Sequence, residues 1–330
     1  MAKICDKIRA FMTRAEQSGI DTKEDRVHAL FDFAYCKLRF HCTSEEYLLF
    51  RYDRYRDHYR KYFLTNWQRR HMFCYVNRSR QTRSKIQMYE RLKEFYGREV
   101  FRVSDRTAEE FTAFVRRHGK VFLKPEVASC GRGAEIFTFT DEDACRRKYE
   151  QMAGKYRVCE EMIRQNHAVD KLCSASVNSC RILTLRKRSG EVSVIAATFK
   201  MSKGESFVDN LHANGIGAAV DLATGVLVSV GRDYESRDYI YHPTSGTIIP
   251  GFQLPFWKET LELVKAAHDK MPESAILGWD VAFTEDRPIL IEANGAPGPN
   301  IHQFADREPK GREIMAYLAN RKNRVYRPQR

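Results

Sequence analysis

Near its C-terminus the chain runs Ile289-Leu-Ile-Glu292-Ala-Asn294-Gly-Ala-Pro-Gly298, an apolar strand that ends in a carboxylate and an amide two positions apart. Alternation along a strand puts those two side chains on the same face. Oxygen donors of this kind suit Mg²⁺, which takes a carboxylate or two together with phosphate oxygens and water. Asp280, in Gly278-Trp-Asp-Val-Ala-Phe283, lies on the apolar run before it. If the two runs pair as a hairpin, Asp280 stands opposite Glu292, and two facing carboxylates repel unless a cation sits between them. Asp280, Glu292 and Asn294 are therefore the candidate metal ligands.

Cations and amides for an anionic partner lie upstream. Val121-Phe-Leu-Lys124 is an apolar strand closed by a lysine, poised to leave a core and reach an anion. Ser129-Cys130-Gly131-Arg132-Gly133 follows, a loop whose N–H groups can approach phosphates. Alone the glycine pair reads as a plain turn; with Lys124 beside it, a phosphate loop is the better reading. It is not the P-loop of nucleotide triphosphatases, because the chain has no G-x-x-x-x-G-K-[ST]. Arg157-Val-Cys-Glu160-Glu161-Met162-Ile163 is a strand ending in two acids, with backbone groups for an adenine edge. Arg181 opens another strand and Lys200 closes one; each taken singly reads as a surface cation. Asp209-Asn210-Leu-His212-Ala-Asn214-Gly215 is a polar loop between strands, richer in amides and imidazole than a mere turn requires.

These side chains need a scaffold. The first hundred residues read as helices, and Tyr52, Tyr55, Tyr59 and Tyr62 recur at helical spacing, which predicts one aromatic helix face rimmed by Arg51, Arg54, Arg56 and Arg60. A helix is expected over 83–96 and stopped by Gly97, and another from Ala108 to His118, capped by Ser104 or Asp105 and stopped by Gly119. Strands are expected at 100–103, 121–123, 135–139, 157–159, 182–186, 192–199, 218–222 and 226–230. A helix follows at 256–271, then an antiparallel pair 279–284 and 288–292 turning at Glu285-Asp-Arg287. The tail from Lys310 reads as helical, then basic. The class is α+β in three parts: a helical, basic region 1–99, a small mixed unit 100–175 with the glycine loop, and a strand-rich unit 176–330 with the metal site.

Composition narrows the setting. The chain has 330 residues, ordinary apolar content at 43%, and nine scattered cysteines with no C-x-x-C pair, so neither a zinc ribbon nor a disulfide framework is expected. Met1-Ala-Lys-Ile-Cys-Asp6 lacks an export-signal core and no apolar run approaches a membrane span, so a cytoplasmic protein is expected. The net charge of +13 is uneven: residues 1–100 carry 22 Lys and Arg against 13 Asp and Glu. That surface suits a phosphorylated substrate or the anionic inner face of a membrane. Binding to nucleic acid is the weaker reading, since tyrosines at helical spacing are more simply core than base-stacking platforms.

Taken in order, a strand-end lysine, glycine loop, Glu-Glu segment, strand arginine, Asn-bearing loop, Asp and Glu-x-Asn resemble the ATP-grasp superfamily. Residues from about 120 to 304 are similar to its sugar-transfer-associated family, on Ser176-Val-Asn-Ser-Cys-Arg-Ile-Leu-Thr184, Val208-Asp-Asn-Leu-His-Ala-Asn-Gly215, Gly251-Phe-Gln-Leu-Pro-Phe-Trp257 and Gly278-Trp-Asp-Val-Ala-Phe283. The resemblance implies an ATP-grasp fold, two α+β subdomains clasping ATP, after a helical N-terminal region. It implies Lys124 on the α- and β-phosphates, Ser129, Gly131, Arg132 and Gly133 as a lid, and Glu160, Glu161, Met162 and Ile163 as the adenine hinge. Arg181 and Lys200 would stabilise the transferring phosphoryl group, Asn210 and His212 would touch phosphate or substrate, and Asp280, Glu292 and Asn294 would hold Mg²⁺. The ribose acid is Glu161 or Asp170. The implied activity is an ATP-dependent carboxylate–amine ligase working through an acyl-phosphate, with a saccharide or sugar-linked acceptor in capsule or envelope synthesis; an ATP-grasp kinase is the alternative. Such chemistry needs no protein nucleophile, so Cys130 is not expected to act.

Overall fold

Ile276–Phe283 and Val192–Met201 are continuous runs of strand-forming residues, and each is paired on both sides in the computed structural model, which describes residues 2–70, 84–127, 133–152, 154–204 and 215–319. Among the described residues a seven-stranded antiparallel sheet runs β11-β10-β5-β6-β7-β8-β9. Its strands are β5 (Ser179–Arg186), β6 (Val192–Met201), β7 (Ile216–Ala219), β8 (Gly231–Arg232), β9 (Asp238–Tyr239), β10 (Ile276–Phe283) and β11 (Pro288–Asn294). A four-stranded antiparallel sheet, in the order β1-β4-β2-β3, is built from β1 (Val100–Arg102), β2 (Lys120–Pro125), β3 (Glu135–Thr138) and β4 (Arg157–Glu161).

Period-two alternation divides the labour of the larger sheet. Cys180, Ile182, Phe199, Met201, Trp279, Val281 and Phe283 join a core with Trp257, Val264 and Ala267 of the helix Trp257–Asp269. On the opposite face Leu183, Leu185, Ala196 and Ile276 pack with Leu64 and with Ile314 of the helix Arg312–Ala319. Farther along that second face the alternation presents Arg181, Thr198, Lys200 and Asp280 instead of aliphatics. Polar residues at buried strand positions are costly unless paired, which marks this end of the face for something other than packing.

The smaller sheet covers one face with the helices Ala108–His118 and Glu142–Met152, through Phe111, Phe114, Val115, Cys145 and Met152 against Val121, Leu123 and Cys159. Val100 and Val158, of the opposite parity, share the core of the larger sheet, together with Ile86, Met88, Tyr89, Leu92 and Tyr96 of the helix Lys85–Tyr96. That helix is the wedge between the two sheets. Gly97 ends it at φ +59°, and a Cβ there would lie 2.7 Å from Ile289 Cγ2, so only glycine both turns the chain and lets β11 approach.

The N-terminal helices Ala2–Gln17, Lys23–Phe40 and Ser44–Leu49 form a further core around Phe11, Cys36, Tyr47, Phe50, Tyr52 and Phe63, closed by Ile301 and Phe304 of the helix Asn300–Asp306. The amide of Gln303 bonds both the N–H and the carbonyl of Leu64, at 2.8 and 2.9 Å.

Several local expectations are corrected. The tyrosines do not line one helix: Tyr52–Arg54 is a 3₁₀ turn, Tyr55 is extended, and Asp57–Arg60 is a single turn. The break comes at Arg51, left-handed at φ 52°, and buries Tyr52 while the Tyr55 and Tyr59 hydroxyls bond Arg307 O and Glu308. Arg51 and Arg60 are not a solvated rim; they are buried on Asp53 and Asp32. The helix Ala108–His118 is capped by Thr107 with Glu110, a reciprocal box, rather than by Ser104 or Asp105. Residues 226–230 make isolated bridges, Val226 to Gln253 and Leu227 to Val220, because the Asp221–Thr224 turn ends the preceding run early. The hairpin of β10 and β11 forms as expected, closed by Thr284 N–H donating to Arg287 O.

Candidate functional site

Asp280 lies opposite Glu292 across β10 and β11, opposite Arg181 across β10 and β5, and two strands from Lys200 on β6, with β5 between. A bulge after Asp280 puts Leu290, not Ile291, opposite Val281, so β11 turns Glu292 to the polar face and Leu290 to the core. Gly278 lies opposite Asn294, and a Cβ on it would fall 2.7 Å from Pro297 Cβ; glycine here lets the segment after Asn294 fold across the sheet end.

Asp280 attracts two protein cations. Arg181 donates Nε to Asp280 Oδ1 at 2.6 Å and Nη2 to Oδ2 at 2.7 Å, and Lys200 Nζ is 3.2 Å from Oδ1. Burial pushes the Asp280 carboxyl up, yet Arg181 and Lys200 outweigh it and hold it well below the ordinary carboxylate range. Glu292 is only half-buried, and its carboxylate has a weak 3.4 Å contact with Asn294 Nδ2. Among the described residues no three His, Cys, Asp or Glu side chains converge as a metal cage. That donor set fits Mg²⁺ completed by phosphate oxygens and water, with Glu292 and Asn294 the available protein donors, better than it fits an all-protein site. Asp280 serves the two cations first.

A second constellation sits on the smaller sheet. Lys124 Nζ lies 2.5 Å from Glu160 Oε1, and Arg98 Nη2 lies 3.0 Å from Glu160 Oε2, with all three side chains buried. Burial raises the Glu160 carboxyl, and Lys124 and Arg98 more than reverse this, so it stays ionised. The Glu160 carboxylate thus faces inward as an anchor for Lys124. Arg98 also donates Nη1 to Leu290 O at 2.5 Å, so one guanidinium ties β4 of the small sheet to β11 just ahead of Glu292.

Other expected residues are placed as follows. Glu161 is half-buried, accepts from Glu99 N–H at 3.3 Å and lies 3.7 Å from His118 Nδ1; Met162 and Ile163 leave the end of β4 half-buried. Asp170 accepts from Gln165 Nε2 at 2.7 Å. Gly133 stands at φ +73° against Pro125, and its carbonyl accepts from Arg157 Nη1 at 2.9 Å. Ser129, Cys130, Gly131 and Arg132, and Asn210, His212 and Asn214, lie outside the described residues.

Three residues were not legible beforehand. Lys85 is placed in the first turn of its helix by the Ser84 cap; its ammonium reaches Glu126 O at 3.4 Å. Burial lowers its pKa against the opposing fields of Glu292 and Glu160, with Lys124 adding to the lowering, so it stands among the two constellations. Arg98 and His302 are the others. His302 Nδ1 pairs with Thr198 Oγ1 at 2.9 Å, Nε2 has no partner among the described residues, and burial followed by Arg181 and Lys310 keeps the ring neutral. Single Lys, Arg and His residues carry no spacing signal, so only the fold could single them out.

A family model described as sugar-transfer associated ATP-grasp matches residues 86–312. No curated protein matches the chain. Among solved structures it is similar to N5-carboxyaminoimidazole synthase from Aspergillus clavatus, at 11% identity over 76% of this chain and 53% of that one, with a TM-score of 0.44. It is also similar to an L-amino acid ligase from Bacillus licheniformis, at 11% identity over 73% and 48% of the two chains, TM-score 0.43. D-alanyl-alanine synthetase A from Vibrio cholerae matches at 12% identity over 72% and 64%, TM-score 0.45. The chain thus spans about half to two thirds of the length of these structures.

Proposed function

The chain belongs to the sugar-transfer-associated ATP-grasp family, and we propose that it is an ATP- and Mg²⁺-dependent ligase that joins a carboxylate to an amine through an acyl-phosphate. The observation that carries the reading is the pairing of two cation-bearing constellations across one joint. Lys124, held by Glu160, lies on the small sheet; Arg181 and Lys200, held by Asp280, lie on the large one beside Glu292 and Asn294; Arg98 ties the two sheets together.

Each residue has a physical task in this reading. Lys124 and Lys85 meet the nucleotide phosphates, where their charge offsets the phosphate charge in a partly water-excluded cleft. Arg181 and Lys200 face the transferring phosphoryl group; Asp280 fixes their direction, so little reorganisation is needed when charge develops. Glu292 and Asn294 hold the metal, which when bound supplies electrostatic stabilisation of the phosphoryl oxygens. Ser129, Gly131, Arg132 and Gly133 cover the phosphates and exclude water, since acyl-phosphates hydrolyse. Glu160, Glu161, Met162 and Ile163 line the adenine side, and Asn210 and His212 meet phosphate or substrate.

The family name directs the acceptor toward a saccharide or sugar-linked amine of a capsule or envelope precursor. In the same reading the basic N-terminal region meets the anionic membrane surface at which such precursors are presented. Among the described residues no helix is long and apolar enough to cross a membrane.

The test is phosphate release from ATP and Mg²⁺ with a panel of amino acids, hydroxy acids, uronic acids and amino sugars, beside a Glu292→Ala control. Release that requires an acid and an amine together, and is lost in the control, supports the ligase. A stable phosphorylated product from one substrate without amine replaces the ligase by a kinase. Absence of nucleotide binding by calorimetry defeats both.

A further inference from the structure

The helix Lys23–Phe40 buries Ala29, Cys36 and Phe40 against the N-terminal core. At 100° per residue, Val27, Phe31, Ala34 and Leu38 fall about half a turn away, on the ridge directed to solvent. A surface helix ordinarily carries polar residues there. Here Phe31 is 73% exposed and Leu38 82%, with Val27 and Tyr35 also exposed. Tyr35 is tethered at the ridge's edge by its hydroxyl to Asp57. At the C-terminal end of the helix His41 stacks on Trp67, centroids 4.2 Å apart, and Trp67 is itself 46% exposed. Val27, Phe31 and Leu38 thus present a row of exposed apolar side chains, with the half-exposed Trp67 near the helix's C-terminal end.

The flanks decide what covers it. Lys23 and Lys37 border the ridge on one side, His28 and Arg39 on the other, all exposed. Of the acidic residues of this helix, Asp25 and Asp32 lie on the far side from the ridge, with Asp32 engaged by Arg60 and Tyr47; Glu24, in the first turn, is the helix's one carboxylate beside the ridge, where it complements the helix N-terminus. Lys23, Lys37 and Arg39 outnumber Glu24 along the ridge, so a second copy placed ridge to ridge would bring net positive flanks together on chains that each carry +13. An apolar helix ridge between basic flanks, with Trp and Tyr at its margin, has the composition of a helix lying in the interface of an anionic bilayer.

We propose that the ridge Val27–Phe31–Ala34–Leu38, with Trp67, is the face by which this chain lies on an anionic lipid surface. The proposal rests on the membrane part of the reading above and locates it; it is independent of the ligase chemistry. Phe31 and Leu38 enter the acyl boundary, and Lys37, Arg39 and Lys23 remain at headgroup level.

Sedimentation of the full chain with phosphatidylcholine vesicles, and with equimolar phosphatidylcholine and phosphatidylglycerol, tests it. The chain is expected to sediment with the mixed vesicles and not the neutral ones. Phe31→Ser/Leu38→Ser should lower the partition coefficient about tenfold or more, and Lys37→Glu/Arg39→Glu should lower it and flatten its salt dependence. Both pairs are surface changes, checked by unchanged thermal unfolding. Binding to mixed vesicles that is indifferent to Phe31→Ser/Leu38→Ser would overturn the proposal, as would no binding at all. A dimer that the same pair dissociates would assign the ridge to a second copy instead. Phosphate release, measured without vesicles on the same preparations, is read separately: its failure sinks the ligase and leaves the lipid contact standing.

Discussion

Arg181 and Asp280 face each other directly across β5 and β10 and share a two-point ion pair, Nε to Oδ1 at 2.6 Å and Nη2 to Oδ2 at 2.7 Å. Glu292, Asp280's neighbour on the other side, accepts only weakly from Asn294 Nδ2, at 3.4 Å, and lies in the field of Lys85. The two carboxylates should therefore separate by variant. Asp280→Asn leaves the buried Lys200 and the half-buried Arg181 beside a neutral amide, and should cost about 3 kcal/mol of stability along with turnover. Glu292→Gln removes a half-exposed charge, and should abolish Mg²⁺-dependent turnover for less than about 1 kcal/mol. Urea unfolding and phosphate release measure both; equal destabilisation would refute the division of labour.

Arg98 is expected to act as a joint. Its guanidinium holds Glu160 of β4 and Leu290 O of β11 at once, and it is buried. Arg98→Met should cost about 3 kcal/mol, because the Glu160 carboxylate then keeps Lys124 alone. Arg98→Lys keeps the charge but cannot span both partners, so it should fall between. With the sheets less well aligned, KM for ATP should rise more than kcat falls. Wild-type stability in Arg98→Met would show that the helix wedge alone aligns the sheets.

Much of this site could be read from residue order, and the unread part has a common cause. Strand alternation placed Glu292 and Asn294 on one face, and the apolar runs on either side of Glu285-Asp-Arg287 placed Asp280 opposite Glu292. What alternation could not supply was the third strand: nothing local in Arg181 announces that β5 pairs with β10, so the two-point ion pair that Asp280 makes on its other side was not foreseen. Arg98 and Lys85 were missed for a similar reason, since their roles come from contacts with strands far away in the chain. The tyrosines at 52, 55, 59 and 62 show the converse failure, where a correct period was overridden by a left-handed residue at Arg51.

Gly278→Ala should act on Asn294 through space. The added methyl would lie 2.7 Å from Pro297 Cβ and 3.6 Å from Asn294 Cβ. Real side chains do not tolerate the first distance, so the segment after Asn294 must shift, at about 1–3 kcal/mol. Apparent Mg²⁺ affinity, read from the metal dependence of phosphate release, should weaken about tenfold or more with the fold retained. An unchanged Mg²⁺ dependence would remove Asn294 from the metal's surroundings.

His268 gives the chain an acid limit that does not come from its carboxylates. Nε2 lies 3.0 Å from Ser274 O, which can only accept, so Nε2 carries the proton; Nδ1 then accepts from the Thr184 hydroxyl at 2.7 Å, and that oxygen accepts from Trp279 Nε1 at 2.7 Å. Burial, with Arg186 nearby, lowers the imidazole pKa from 6.5 to about 4. The folded value is below the unfolded one, so between them the unfolded chain binds the extra proton and stability rises with pH. The contribution is complete above about pH 6.5 and is lost as pH falls toward 4, amounting to ~3 kcal/mol. Glu160 and Asp280, whose folded values are depressed, lose stability only below the ordinary carboxylate range, so the interval from about pH 5 to 6.5 is free of them. His302 is lowered in the same sense, so the reading is the difference between wild type and His268→Gln. The variant should be less stable at pH 7 and should show a shallower loss of unfolding free energy between pH 6.5 and 5. Parallel slopes for the two proteins would mean that the imidazole is already charged in the folded state, and that the Trp279–Thr184–His268 chain is wired the other way.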